Sequence, residues 1–573
     1  MRSWRSAGFR SIWPNRFAEE LRRLSLARRI AHAMISVGPL WRTVRHLKLR
    51  QVVGRIRFRM SRPKVVADPA PSCRALPGRW VLPARRASIL SAPASLRLLN
   101  TLYDVDASGW DDPRADRLLR YNVHYFDDLC ALDAPARSGS QCVLVQRWID
   151  ENPPATGTGW EPYPVSLRVV NWIKWFLDGM SVEHAWRQSL AIQVRWLCAR
   201  LEWHLMGNHL FANAKALVFA GAWYSDPEAD RWLRQGLEIL DAEVHEQILS
   251  DGGQFERSPM YHALAFEDML DLINLAQTAG AALPDLAVRA PAWRGIASDM
   301  LHWLRCMSHP DGSLALFNDC ADGIAPSWEE LERYAKELGI EAALPPAEGV
   351  TELQPSGYIR MARGPALAML DVAPIGPDYL PGHAHADTLS FELTIHGQRV
   401  IVNGGTSRYG LGAERHAERG TARHSTVQVA GADSSEVWGG FRVGRRARVH
   451  SLKLARWQVE ASHDGYRYLS GSPTHRRSWA FEANELRVED TLSPNTWPAV
   501  ARYILAPGLN LDHTGDGHWR VAGPAGAIVR IEVLRGSARA ADSMQSSEFG
   551  RQRQTRCLEV ELVGGSAVTR WIW

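Results

Sequence analysis

The spacing of apolar positions divides the chain into three. Up to about residue 95 no steady period is visible beyond a possible helix at 40–60, and Pro, Ala and Ser accumulate in "ADPAPSCRALPGRW". From about 115 to 340 apolar residues recur three and four apart, the period of a helix with one buried face. The runs are 163–180, 189–205, 212–224, 228–248, 263–280 and 296–308. Short links between so many helices predict antiparallel pairs wound into a helical barrel or superhelix.

A Pro/Glu-rich passage, "ELGIEAALPPAEGVTELQPSG", then reads as a linker. Beyond it the period falls to two, in "LSFELTI", "QRVIVNGG", "STVQVAG", "ELRVEDTL", "IVRIEVL" and "LEVELV", with Gly, Asn and Asp between the runs. Short alternating strands of this kind predict a β-sandwich. The expected organisation is a basic segment over 1–95, a helical domain over 96–340, a linker over 341–356 and a sandwich over 357–573.

Bulk numbers refine this picture. A chain of 573 residues exceeds what one core ordinarily serves, and 46% hydrophobic with 23% charged residues is a globular composition. The net charge of +5 hides an asymmetry: residues 1–65 carry 17 Lys and Arg against 2 acids, leaving 50 basic and 60 acidic residues elsewhere. Such a head predicts contact with a membrane surface or an anionic polymer, or else a solvated leader. No nucleic-acid partner is expected. No apolar run reaches a membrane-spanning length, and "IAHAMISVGPLW" makes a poor secretory signal. The seven cysteines are scattered without CxxC pairs and indicate neither disulfide framework nor zinc-cysteine site. The 24 tryptophans suit either buried helix faces or sugar stacking.

Four stretches hold polar residues that packing alone would not place. In "MGNHLFANAKAL" (206–217) Gly207 breaks a helical pattern and Asn208 suits the N-cap of the next helix. Asn208 and His209 then lie at a helix start, where backbone N–H groups favour an anion. In "DGGQFERSPMYH" (251–262) Ser258-Pro259 is a helix start, which puts Tyr261 in the first turn with Glu256 and Arg257 just ahead. A positive charge there would favour the phenolate form of Tyr261. In "PGHAHADTLSFEL" (381–393) an extended backbone would set His383, His385 and Asp387 on one face. Finally, "VNGGTSRYG" (402–410) and "ERGTARHSTVQVAG" (418–431) supply Asn403, Arg408, Tyr409 and His424 at strand ends. His385 and His424 could hold zinc if a third ligand joined them.

Taken together with "RYNVHYFDDL" (120–129), "GWEPYPVSLRVVNWIKW" (159–175), "HPDGSLALFND" (309–319) and "HSTVQVAGADSSEVWGGFRVGRRA" (424–447), these blocks make the chain resemble the heparinase II/III family of polysaccharide lyases. It is most similar to relatives found in bacterial exopolysaccharide gene clusters. The resemblance implies a multidomain α+β fold: an incomplete (α/α) toroid followed by an antiparallel β-sandwich, with a glycan cleft between. It implies β-elimination on a uronic-acid-containing polysaccharide outside the cytoplasm, in the periplasm or cell envelope, with no cofactor required.

In that reaction the substrate carboxylate must be quenched, the C5 proton removed and the leaving O4 protonated. The resemblance implies Asn208 with His209 as the carboxylate neutralisers, Tyr261 as base, acid or both, and His383 as its partner. Arg168, Glu256, Arg257 and Arg408 are expected as substrate contacts in an electropositive cleft, and Trp160 as a stacking platform. His385 and His424 match two of three residues that hold a structural zinc in some members. The third, usually Asp, is Asn403 here, so a hydrogen-bond network is as good a reading. Ala212 stands where heparinase-II-like members carry Glu, which argues against heparin specificity.

Two rivals stand beside a lyase. A glycoside hydrolase would need a carboxylic acid pair from Glu161, Asp251, Glu256 or Asp319. A non-catalytic glycan-binding factor in polysaccharide assembly or export would need none of this chemistry.

Overall fold

The computed structural model describes residues 38–573. The part of the basic head before residue 38 lies outside the described residues. The rest of it is ordered: helix Leu49–Met60 is followed by an extended run along the helical domain. Part of this run, Ser72–Cys73, pairs with Tyr224–Ser225.

The helices follow the apolar period closely. They span Pro162–Leu177, His184–Cys198, Gly207–Trp223, Pro227–Gln247, Pro259–Ala279 and Ala290–Cys306. Their buried faces meet in one core, which takes up nine of the 24 tryptophans, among them Trp148, Trp172, Trp175, Trp186, Trp232 and Trp293. The abundance of tryptophan therefore serves packing.

The strands form two large antiparallel sheets. In the first, the order runs 537–548, 551–561, 499–505, 398–402, 391–395, 366–371, 358–363 and 349–353. The second runs 449–455, 458–463, 474–481, 485–493, 566–572, 526–535, 518–523 and 510–515. Strand Gly349–Leu353 pairs with Tyr358–Arg363, so sandwich structure starts inside the stretch read as a linker.

Period two explains how the first sheet serves both neighbours. Ile359, Met361, Ala368 and Leu370 point into the core shared with the second sheet. Tyr358, Ala362, Leu367 and Met369 point the other way, onto Trp303, Met307 and Phe317 of the helical domain. The central strands of the sheet, Ala366–Asp371 and Phe391–Ile395, are buried on both faces, at the seam where the polar stretches collect.

Candidate active site

Two helix starts and one loop meet at that seam. The first helix begins at Gly207, after Met206 as its cap residue. Gly207 is required there: its φ is +55°, and a Cβ would run into Leu380. Asn208 is thus in the first turn, not at the N-cap as expected, yet still at the positive end of the helix. Burial raises the pKa of the Tyr163 hydroxyl, with the Asn208 side chain opposing it, and the Tyr163 ring packs on His209 with centroids 4.4 Å apart. Burial works to lower the pKa of His209, but Glu202, with Oε1 3.1 Å from Nδ1, drives it upward overall.

The second helix starts as predicted, with the Ser258 hydroxyl accepting from the Tyr261 N–H at 3.2 Å. Ahead of it, Arg257 is held at φ +61° because its carbonyl accepts from Tyr358 Oη at 2.6 Å and Asn318 Nδ2 at 2.9 Å. This turn aims the Glu256 carboxylate at the loop.

The loop carries His383. Residues 381–390 contain no strand, so His383, His385 and Asp387 do not share a face. Asn318 pins this loop: its Oδ1 accepts from the His385 N–H at 3.0 Å and its own N–H donates to Asp387 Oδ2 at 3.1 Å. Asp319 N–H donates to the His383 carbonyl at 2.9 Å. Thus held, His383 places Nδ1 2.6 Å from Glu256 Oε2. Its ring lies on that of Tyr261, with centroids 4.0 Å apart and planes at 14°. The Tyr261 hydroxyl lies 2.9 Å from that of Tyr409.

Burial, and then the neighbouring Tyr409, raise the Tyr261 pKa well above the ordinary phenol value. The expected phenolate is therefore disfavoured. The cation that was to favour it, Arg257, instead donates to the Ser356 and Phe255 carbonyls.

Two further stretches, around 121–125 and at Arg415, adjoin these residues. Tyr125 packs edge-on to Tyr163 at 6.1 Å, Tyr121 donates to Glu161, and Arg415 lies 4.9 Å over the Tyr409 ring. The "YPVS" run opening helix Pro162–Leu177 was the available signal for Tyr163.

Comparison with known proteins agrees with this architecture. Residues 140–337 match the heparinase II/III N-terminus, and residues 345–572 match the heparinase II/III-like C-terminal domain. The chain belongs to the heparinase II/III family. A heparin-sulfate lyase of Bacteroides stercoris is 27% identical over 244 residues, spanning 39% of this chain but only 35% of that enzyme. The FtsZ-localized protein C of Caulobacter vibrioides is 27% identical over 496 residues, 81% of each chain. Among solved structures, heparinase III superposes with a TM-score of 0.64 at 17% identity, covering 82% of this chain and 80% of that one. Heparan sulfate lyase HepC from Pedobacter heparinus gives 0.54 at 17%, covering 91% and 87%. Both show a shared fold.

Several contacts expected of a heparinase II/III cleft are elsewhere. Trp160 is buried against Trp148, with Nε1 donating to the Asn152 carbonyl, and offers no stacking face. Arg168 is fully buried and donates to Gln193, the His124 carbonyl and the Gly159 carbonyl. Burial pulls its pKa down. Arg257 is consumed by the turn described above. Glu256 serves His383. Only Arg408 of the expected cations stays partly exposed, 3.2 Å from Asp116 across the seam.

His385 and His424 are buried with ring centroids 5.2 Å apart, and Nδ1 of each lacks a partner. However, Asn403 uses Oδ1 to accept from the Ser425 N–H at 3.1 Å and Nδ2 to donate to Ser390 at 3.3 Å. The nearest carboxylate, Asp319, accepts from Arg415 Nη2 at 2.7 Å and lies 2.8 Å from His385 Nε2. No group of three metal-type side chains occurs among the described residues. These residues do not fit a three-ligand zinc centre.

Proposed function

We propose that the protein is a polysaccharide lyase that cuts a uronic-acid-containing polysaccharide by β-elimination. One observation carries the reading: His383, oriented by Glu256, lies face to face with Tyr261, and Glu256 in turn lies against Gly207, which opens the helix bearing Asn208 and His209.

The chemistry divides among them. The Asn208 amide and the imidazolium of His209 receive the substrate carboxylate and stabilise the charge it gains as C5 loses its proton. With Nδ1–H donating to Glu256, His383 offers its Nε2 lone pair as the base. The C5–H electrons become the C4=C5 double bond as the C4–O4 bond breaks. Tyr261, kept protonated by burial, gives its proton to O4. His383 then carries the proton taken from C5, the phenolate of Tyr261 is left beside Tyr409, and exchange with water restores both.

The four acids a hydrolase would draw on are engaged. Glu161 accepts from Arg117 and Tyr121, Asp251 from Ser356, Asp319 from Arg415, and Glu256 serves His383. We favour an exopolysaccharide as the polymer and the cell envelope as the place of action. The cut end tells elimination from hydrolysis: an unsaturated product lacks the elements of water that a hydrolysis product contains, a difference read by mass spectrometry.

A second reading, drawn from the sequence, is a glycan-binding factor without turnover. Saturable binding of a uronate polymer without any shortening of the chain would support it.

A further inference from the structure

Helix Leu49–Met60 presents an apolar stripe that has no partner among the described residues. Leu49, Val52, Ile56 and Met60 are 76%, 44%, 54% and 76% exposed. At 100° per residue these four positions fall within one arc of about 80°. The opposite face is the one that packs. Gln51 is buried and donates to the Tyr379 carbonyl at 3.3 Å. Gly54 lies against the backbone of Trp203 and His204, and Phe58 stacks on His204 at 4.3 Å. The helix is thus fixed to the protein by one side and shows a hydrocarbon edge to solvent on the other. Among the described residues no core claims that edge.

Charge surrounds the stripe. Residues 38–66 hold nine Lys and Arg and no acid. Arg42 and Lys48 pair with Glu436 and Glu246; the other seven make no ion pair with a described acidic residue. Arg55 and Arg59 flank the stripe on one side and Arg57 on the other, all exposed. Trp41 is 66% exposed just before the helix, with exposed Leu40, Val44 and Leu47 beside it.

A soluble polyanion would use the cations and leave four large apolar side chains in water. A bilayer with anionic headgroups uses both: apolar side chains enter the acyl boundary while arginines stay among the phosphates. We propose that this helix docks the protein on an anionic lipid surface, lying in the interface plane. No helix among the described residues is long and apolar enough to cross a membrane, so this attachment is peripheral.

The test is co-sedimentation of the full-length protein with phosphatidylcholine vesicles, with and without phosphatidylglycerol. Three proteins are compared: wild type, Leu49→Ser/Ile56→Ser/Met60→Ser, and Arg55→Gln/Arg57→Gln/Arg59→Gln, each checked for an unchanged Tm. Wild type binds the anionic vesicles and not the neutral ones. Each arginine removed costs roughly fivefold in partitioning, and the apolar triple variant loses about tenfold or more. The apolar variant retains wild-type binding to dextran sulfate, a soluble polyanion. Wild-type vesicle binding by the apolar variant would overturn the proposal, as would sedimentation with neither vesicle.

Discussion

Glu256 Oε2 and His383 Nδ1 lie 2.6 Å apart, although 127 residues separate them in the chain and they belong to opposite domains. The contact orients an imidazole without touching the reacting atoms, as a positioning carboxylate does. Replacing Glu256 with Gln keeps the shape and removes the charge. The variant is expected to lose roughly tenfold or more in kcat, about 1.4 kcal/mol or above, with KM little changed. Steady-state kinetics check this; a change confined to KM would move Glu256 into substrate binding.

Tyr261 is expected to act as the acid. Tyr261→Phe retains the ring stack on His383 and removes only the hydroxyl. Activity should fall by about 10²–10⁴-fold, with Tm close to wild type. Because burial raises the Tyr261 pKa well above the ordinary phenol value, kcat should show no loss from its ionisation between neutral pH and about 10. A pH–rate profile decides.

His209 brings a pH dependence of known sign. Its folded-state pKa is raised despite burial, because Glu202 outweighs desolvation. The pairing with Glu202 therefore stabilises the fold fully below the unfolded value of about 6.5 and fades as pH rises through the folded value. The stability difference between wild type and His209→Gln should be largest at mildly acidic pH and shrink above it. Thermal denaturation across pH measures this, and an increase with pH would contradict it.

Asp319 is a stability residue. It accepts from Arg415 through both oxygens, and burial, though opposing, is outweighed by Arg415 and His385, which hold its carboxyl far below the usual range. Asp319→Ala leaves a buried guanidinium without its partner and should cost about 3–5 kcal/mol. In wild type this contribution is present above the unfolded pKa of about 3.9 and is lost as pH falls toward the depressed folded value. Denaturant unfolding provides the number; loss of activity with unchanged stability would instead favour a catalytic acid.

Periodicity carried most of the architecture, because helices such as Pro227–Gln247 bury one face and strands such as Thr474–Phe481 alternate between core and surface. The helix start at Ser258-Pro259 was equally legible, since capping is local chemistry. What local pattern could not carry was the direction of long polar side chains. Arg168 and Arg257 read as substrate contacts, but distant carbonyls satisfy them inside the protein. Trp160 read as a platform and is packed. Tyr163 escaped notice because its role comes from Asn208 and His209, more than forty positions away, and the Asp319–Arg415 pair spans 96 residues. Motif order named His383 and Tyr261, while only the fold reveals that Glu256 aims one at the other.

The central claim is tested most directly by incubating the purified protein with a panel of uronate polymers and following ultraviolet absorbance. On at least one polymer, absorbance from a new C4=C5 bond should rise with wild type and fall to near background with His383→Ala and with Tyr261→Phe. Chain shortening without that absorbance, or equal absorbance from the variants, would contradict the account.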